Sequence, residues 1–252
     1  MTRIRSILVL PLILAAGILL RPGAPGQVRD ARPSSIHPRY EHRADHNPDG
    51  IGKFYMGREI AQVMGHQAAD WLERAEREDE EQPEKMLDAL RLRPGMVVTD
   101  LGAGSGYLTF RLAKRVGPRG TVYAVDIQPE MLDLIRGKMR ETGVRNVVPV
   151  LGAVTDPKLP PRSQDLILMV DVYHEFDHPW EMTRAMVRAL KPGGRLAFVE
   201  FRAEDPSVPI KEVHKMSEAQ VKKEMSVHPL RWVETVRTLP WQHLILFRKV
   251  GR

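Results

Sequence analysis

Residues 97 to 113 read VVTDLGAGSGYLTFRLA: a β-branched run, then glycines at 102, 104 and 106, then a segment with helical apolar spacing. That order demands a strand turning sharply into a helix. Glycines at such a turn let the main chain touch a ligand, and the helix amino end faces it. The stretch fits a nucleotide-like cofactor, although a tight turn without a ligand would use the same glycines.

Alternation of the same kind fills the rest of the chain. Leu108, Leu112 and Val116 mark one helix face, with Gly117 and Pro118 as its stop, and TVYAVD at 121–126 gives a second strand. A helix with Leu132, Ile135 and Met139 ends at Gly143, and NVVPV at 146–150 gives a third. DLILMVD at 165–171 is apolar without interruption, as a central parallel strand covered on both faces requires. The helix of Met182, Met186 and Leu190 stops at KPGG, and RLAFVE at 195–200 is the fifth strand. Ser217 and Gln220 are spaced as a capping box for a further helix, and RWVETV and HLILF form an antiparallel closing pair. The predicted fold is α/β, a doubly wound seven-stranded mostly parallel sheet with a helical N-terminal extension and ligands at the carboxyl ends of the strands.

Two carboxylates narrow the cofactor. Asp126 closes the second strand twenty residues after Gly106 and can accept both ribose hydroxyls, a use common to nicotinamide dinucleotides and S-adenosylmethionine. Asp100 closes the first strand beside the glycines, where it would repel a pyrophosphate and attract an ammonium or sulfonium. The third small residue of a dinucleotide fingerprint would fall at 107, which is Tyr107. An NAD-dependent oxidoreductase is disfavoured on both counts.

With DLGAGSG, VYAVDIQPEML, DLILMVDVYHEF and ALKPGGRLAFVEF in this order, residues 84 to 250 resemble the class I S-adenosylmethionine-dependent methyltransferases, and the detail resembles type 11-like domains. The resemblance implies that Gly102, Ala103, Gly104 and Gly106 wrap the methionine part of the cofactor and that Asp100 lies near its amino group. It further implies that Asp126 takes the ribose, that Ile127 packs on the adenine and that Asp171 belongs to the cofactor set. Many members carry an acidic residue after the third strand to hold the adenine amino group. Here Ala153 stands in that place, leaving a backbone contact, with Asp156 as a substitute.

Methyl transfer from a sulfonium needs alignment and, for oxygen or nitrogen acceptors, loss of a proton. DVYHEFDHP at 171–179 puts His174 and Glu175 at the end of the fourth strand, and His174 is the candidate base, its ordinary pKa lying near working pH. A hydrogen-bonded brace for the loop is the plainer role for the same pair. Candidate acceptor residues are Tyr55 and Arg58 in GKFYMGRE, Tyr173, and His214 and Lys215 in KEVHKM. The acceptor is a small molecule, since there is no cysteine for a thiolate mechanism and no D-P-P-Y motif for adenine methylation, and the charge of +6 forms no basic tract for nucleic acid. No metal is expected: DHNPDG at 45–50 has half of a calcium loop but Met56 where its bidentate Glu belongs, and the histidines at 37, 42 and 46 read as a solvated segment.

Before the domain, ILVLPLILAAGILL at 7–20 is flanked by Arg3, Arg5 and Arg21. Fourteen apolar residues match the core of a signal peptide and fall short of the roughly 20 that span a bilayer. Residues 1–26 are accordingly a signal peptide or membrane anchor, the missing small-residue cleavage site favouring an anchor at the cytoplasmic face. Residues 27–55 read as a flexible tether, 56–92 as a helical extension or lid, and 93–252 as the methyltransferase domain. The anchor suggests a hydrophobic or membrane-dissolved acceptor. A non-catalytic module that kept the cofactor fold is the alternative from another functional class.

Overall fold

The computed structural model describes residues 39–251. The apolar run at 7–20 and the first part of the tether lie outside the described residues. Among those described, no helix is long and apolar enough to cross a membrane.

The described chain opens with three short antiparallel strands, β1 (Tyr40–His42), β2 (Gly50–Tyr55) and β3 (Arg58–Ala61). They overturn two expectations: residues 40–55 are not a tether, and the helix expected from Met56 does not form there. Tyr55 pairs with Arg58 across a two-residue loop in which Met56 (φ 50°) and Gly57 (φ 94°) both adopt left-handed backbone. That is the twist a tight hairpin needs, and it reverses the chain where helical spacing would have carried it on. A 3-10 helix spans His66–Glu73, followed by the short α1 (Arg77–Glu80) and by α2 (Pro83–Ala89), which begins on proline as expected.

Beyond these, the chain alternates: β4 (Val97–Leu101), α3 (Thr109–Val116), β5 (Thr121–Asp126), α4 (Pro129–Thr142), β6 (Val147–Leu151), β7 (Gln164–Val170), α5 (Pro179–Ala189), β8 (Leu190–Phe201), α6 (Glu218–Met225), β9 (Leu230–Val236) and β10 (Gln242–Lys249). The seven strands from β4 to β10 form one sheet in the order β6-β5-β4-β7-β8-β10-β9. Strands β4 to β8 are parallel and β9 pairs antiparallel with β10, as the sequence predicts, and β10 also runs antiparallel to β8.

Burial explains the patterning. Leu166 and Leu168 of β7 pack into one hydrophobic cluster with Leu87 and Leu112, while Ile167 and Met169 face the other with Met182, Met186 and Phe198. Helices on both faces keep Leu166 to Val170 of this strand apolar. Helix α3 ends at Gly117 (φ 67°) and α4 at Gly143, whose N–H bonds Met139 in left-handed backbone. Helix α5 runs straight into β8 at Leu190, so KPGG lies within the strand rather than between elements. Ser217 caps α6 by accepting the N–H of Gln220, whereas the Gln220 side chain reaches Met56 and Glu224, which leaves half of the expected capping box. Because β4 and β7 lie side by side and send their chains to opposite flanks, a crevice opens at their carboxyl ends.

Candidate active site

The crevice is a cavity of about 550 Å³, within the roughly 300–1,000 Å³ of small-molecule sites. Its walls come from the ends of β4, β5 and β7, the segment from Val63 to Glu81 and the turn before α6.

At one end the main chain does the shaping. Gly102 (φ 75°) and Gly104 (φ 54°) line the wall, and a Cβ on Gly102 would lie 2.4 Å from the Val172 side chain. No other residue suits this loop. Asp126 accepts the Gly104 N–H through Oδ2 and the Gln128 N–H through Oδ1, each at 2.9 Å. Each oxygen keeps a lone pair for a ribose hydroxyl, and burial raises the carboxyl pKa against the pull of these N–H groups. Ile127, Gly152, Ala153 and Val154 continue the wall. Asp156 is turned away, bonding Arg188 at 3.0 Å and the Lys158 N–H at 2.8 Å, which removes it as a substitute adenine partner.

Asp171 lies on the wall with left-handed backbone (φ 50°). Its Oδ2 accepts from Gln242, while Oδ1 is buried with no partner among the described residues. Burial, then the charges of Glu81 and Glu200, push its pKa well above the carboxylate range. A buried carboxylate with a free oxygen calls for a cation, and the ammonium of S-adenosylmethionine supplies one. With the glycine cradle and Asp126 beside it, the wall fits this cofactor.

Three expected cofactor residues stand behind the wall. Asp100 accepts the Thr109 hydroxyl at 2.6 Å and so ties the end of β4 to the first turn of α3, its pKa pushed up to about 6 by burial and restrained by that bond. Ala103 donates its N–H to Val125 at 3.0 Å, and Gly106 packs on Ile135 and Phe110. All three shape the loop rather than the cavity surface.

A further part of the wall is made of side chains. His174 and Glu175 lie on the 3-10 turn Tyr173–Glu175 after β7, and His214 ends the 3-10 turn Glu212–His214. All three line the cavity. Nδ1 of His174 lies 2.6 Å from Oε2 of Glu200, a fully buried carboxylate whose Oε1 also accepts the Tyr173 N–H at 2.9 Å. The carboxylate takes the Nδ1 proton in a hydrogen bond and fixes the ring with Nε2 turned toward His214. That nitrogen is 3.3 Å from Nδ1 of His214 and 4.0 Å from Oε1 of Glu175. Burial, then the His174 charge, push His214 down to about 4. Burial raises Glu175 to about 7 against the pull of His174.

Of the five expected acceptor residues, only His214 is on the wall. Arg58 is buried in an ion pair with Glu224 (2.8 Å) and donates to the His174 carbonyl at 3.0 Å. The Tyr173 hydroxyl donates to the same Glu224 at 2.7 Å, Tyr55 is buried beneath Tyr40, and Lys215 is buried against Glu212. Their bulk and charge are spent fixing the hairpin and α6 under the site.

The sequence reading did not assign Glu200, Gln128, Arg77 or Glu81. Arg77 and Glu81 are buried in an i,i+4 ion pair of 2.8 Å inside the expected helical extension, and both reach the cavity. That spacing was the available signal. Gln128 bridges the Met64 carbonyl and the His66 N–H, fastening the segment over the crevice.

Residues 92–243 match the family model described as a methyltransferase domain. The chain belongs to that family. Its methyltransferase domain takes S-adenosylmethionine as cofactor. Among solved structures it is similar to a SAM-dependent methyltransferase from Aquifex aeolicus, 26% identical with a TM-score of 0.71 over 75% of this chain and 100% of that one. It has the fold of geranyl diphosphate C-methyltransferase from Streptomyces coelicolor A3(2), 17% identical, TM-score 0.56, over 67% of this chain and 80% of that one. The ubiquinone/menaquinone biosynthesis C-methyltransferase UbiE of Vibrio vulnificus is 37% identical over 116 residues, 46% of this chain and 45% of the relative. That of Shewanella frigidimarina is 35% identical over 116 residues, 46% of each. The chain thus spans about half the length of the curated relatives it matches.

Proposed function

We propose that the protein transfers a methyl group from S-adenosylmethionine to a small, largely apolar acceptor bearing an oxygen or an activated carbon. The carrying observation is the composition of the cavity wall: glycine backbone and bare carboxylates together with the His174, Glu175 and His214 side chains. Bound, the cofactor supplies a methyl group already activated on a sulfonium. The chain's task is then to orient and to move a proton.

Asp126 and Asp171 hold the cofactor's ribose and ammonium, and Ile127 with Ala153 covers its adenine. The Nε2 lone pair of His174, aimed by Glu200, takes the acceptor's proton. Met64, Phe176, Met182 and Ile210 line the cavity and favour an apolar body on the acceptor. The UbiE relatives, whose names place them in quinone biosynthesis, support an acceptor of quinone-like character. The apolar run at 7–20, which we propose acts as an anchor or export signal, would keep such a compound within reach; the amino terminus of the mature protein decides between the two.

Calorimetry with S-adenosylmethionine, followed by transfer of a labelled methyl group into a lipid and metabolite extract, tests this reading. Loss of one charged acceptor for the ribose in Asp126→Ala is worth about 2 kcal/mol, or roughly thirtyfold in affinity. Unchanged affinity in that variant overturns the site.

A further inference from the structure

His174, Glu175 and His214 come from two turns nearly forty residues apart, yet one donor atom from each lies within 4.8 Å of the other two. Each of the three lines the same cavity wall. A hydrogen-bonded cluster would need only that the polar atoms pair. Here the pairing is oriented.

Glu200 accepts from Nδ1 of His174, and its other oxygen accepts the Tyr173 N–H, so the ring is fixed with Nε2 outward. A carboxylate on the far nitrogen is the arrangement that aims an imidazole at a metal and strengthens it as a ligand. Distances agree. Two imidazole nitrogens each about 2.1 Å from an ion and 3.3 Å apart subtend roughly 105° at it, near tetrahedral. The 4.0 Å from Nε2 of His174 to Oε1 of Glu175 would subtend roughly 145°, so the Glu175 carboxylate, whose Oε1 also accepts the Met64 N–H at 3.2 Å, has to rotate to complete the set. Two histidines and one carboxylate leave coordination positions open toward the cavity.

We propose that His174, Glu175 and His214 bind a divalent first-row cation of the imidazole-preferring kind, Zn²⁺ or Fe²⁺, at the acceptor end of the cavity. The inference rests on the methyltransferase reading, replaces its proton transfer to His174, and takes from it what fills the open positions: an acceptor that presents one or two adjacent oxygen atoms, such as a hydroxyl beside a carbonyl. With the ion in place Nε2 is a ligand, and coordination lowers the pKa of the acceptor's hydroxyl so that its proton passes to solvent rather than to the imidazole. Glu200 is then a positioning residue, acting through His174.

The full-length protein, stripped with chelator and dialysed, is titrated with Zn²⁺ alone by calorimetry and with Co²⁺ alone by its visible ligand-field absorption. One equivalent is expected, with the absorption of a low-coordinate nitrogen and oxygen site. His214→Gln and Glu175→Gln should each weaken binding at least tenfold, and Glu200→Gln roughly ten- to a hundredfold with a shifted Co²⁺ spectrum. His66→Gln, which changes an exposed pair with Glu130 3.9 Å away, should bind like the parent protein. S-adenosylmethionine affinity, measured on every variant, reports that it has folded. Absence of metal binding in protein that binds the cofactor overturns the metal site alone. Binding that survives unweakened in both His214→Gln and Glu175→Gln, as an ion held by His42 and His46 would, also overturns it. Failure of the parent protein to bind the cofactor overturns instead the methyltransferase reading.

Discussion

The two ends of the cavity handle buried charge in opposite ways. Around the acceptor side chains most buried charges have partners, Arg58 with Glu224, His174 with Glu200 and Lys53 with Asp177, Glu175 being the exception with its pKa raised by burial. At the cofactor end Asp100, Asp126 and Asp171 are buried with hydroxyl, amide or backbone donors but no cation in contact, and all three pKa values are raised. Paired charge fixes an element in place. Unpaired charge of one sign, gathered around a cavity, is the electrostatic imprint of a positively charged ligand. Removing a charge should therefore weaken the fold at one end and strengthen it at the other.

The largest effect is expected at Arg58. Glu224 is fully buried, and its carboxylate receives Arg58, the Tyr173 hydroxyl and Gln220. Arg58→Met keeps most of the packing but strands that carboxylate, which should cost about 3–5 kcal/mol of unfolding free energy in a denaturant titration. Arg58→Met with Glu224→Gln should recover much of the loss. A single variant as stable as the parent protein would break the comparison at its stronger half.

Asp100→Asn tests the other half. A carboxyl whose folded pKa lies near 6 against 3.8 binds its proton more tightly when folded, so its stabilising contribution is complete below the unfolded value and is lost as pH rises through about 6. At neutral pH the ionised group weighs on the fold by about 3 kcal/mol. The amide removes that burden while still accepting from Thr109. Denaturant midpoints should show the variant more stable than the parent protein at pH 7.5, the advantage shrinking toward pH 4. A constant difference across this range would assign the effect to packing. Asp171→Asn should likewise stabilise the ligand-free protein, but because the residue lines the cavity it should lower S-adenosylmethionine affinity roughly tenfold, the loss of one charged hydrogen bond. Asp100→Asn should change affinity far less.

The contrast also decides what could be read in the residues. The cofactor end is built from contiguous backbone, so DLGAGSG and the Asp126 spacing announce it, and the parallel order of β4 to β8 follows from apolar runs covered on two faces. The acceptor end joins residues 174, 175, 200 and 214, which only the sheet brings together. No local pattern marks Glu200, one acid in an apolar strand. The hairpin at Met56–Gly57 was hidden for a different reason: its helical spacing of apolar residues is real, but two positive φ values override it, and Met is an uncommon residue for the first of them. Tyr55 and Arg58 looked available because an aromatic and an arginine between glycines resemble a lid. Burial against β1 and α6 turns them inward.

The smallest effect sharpens how α6 serves the acceptor end. Ser217 is its N-cap, and Oγ accepts the Gln220 N–H at 3.1 Å. Ser217→Ala leaves that donor unpaired in the first turn and should cost about 1 kcal/mol. The helix carries Glu224, the anchor for Arg58, but touches none of the cofactor carboxylates. Fraying should therefore be felt through the Arg58 clamp and the His174 carbonyl it holds, while calorimetric affinity for S-adenosylmethionine stays within twofold of the parent. Amide exchange should quicken in α6 and in the Tyr55–Arg58 hairpin and remain slow in β4 and β5. Equal acceleration at both ends would mean that the two halves of the cavity open as one unit, and that their difference in charge pairing carries no difference in local stability.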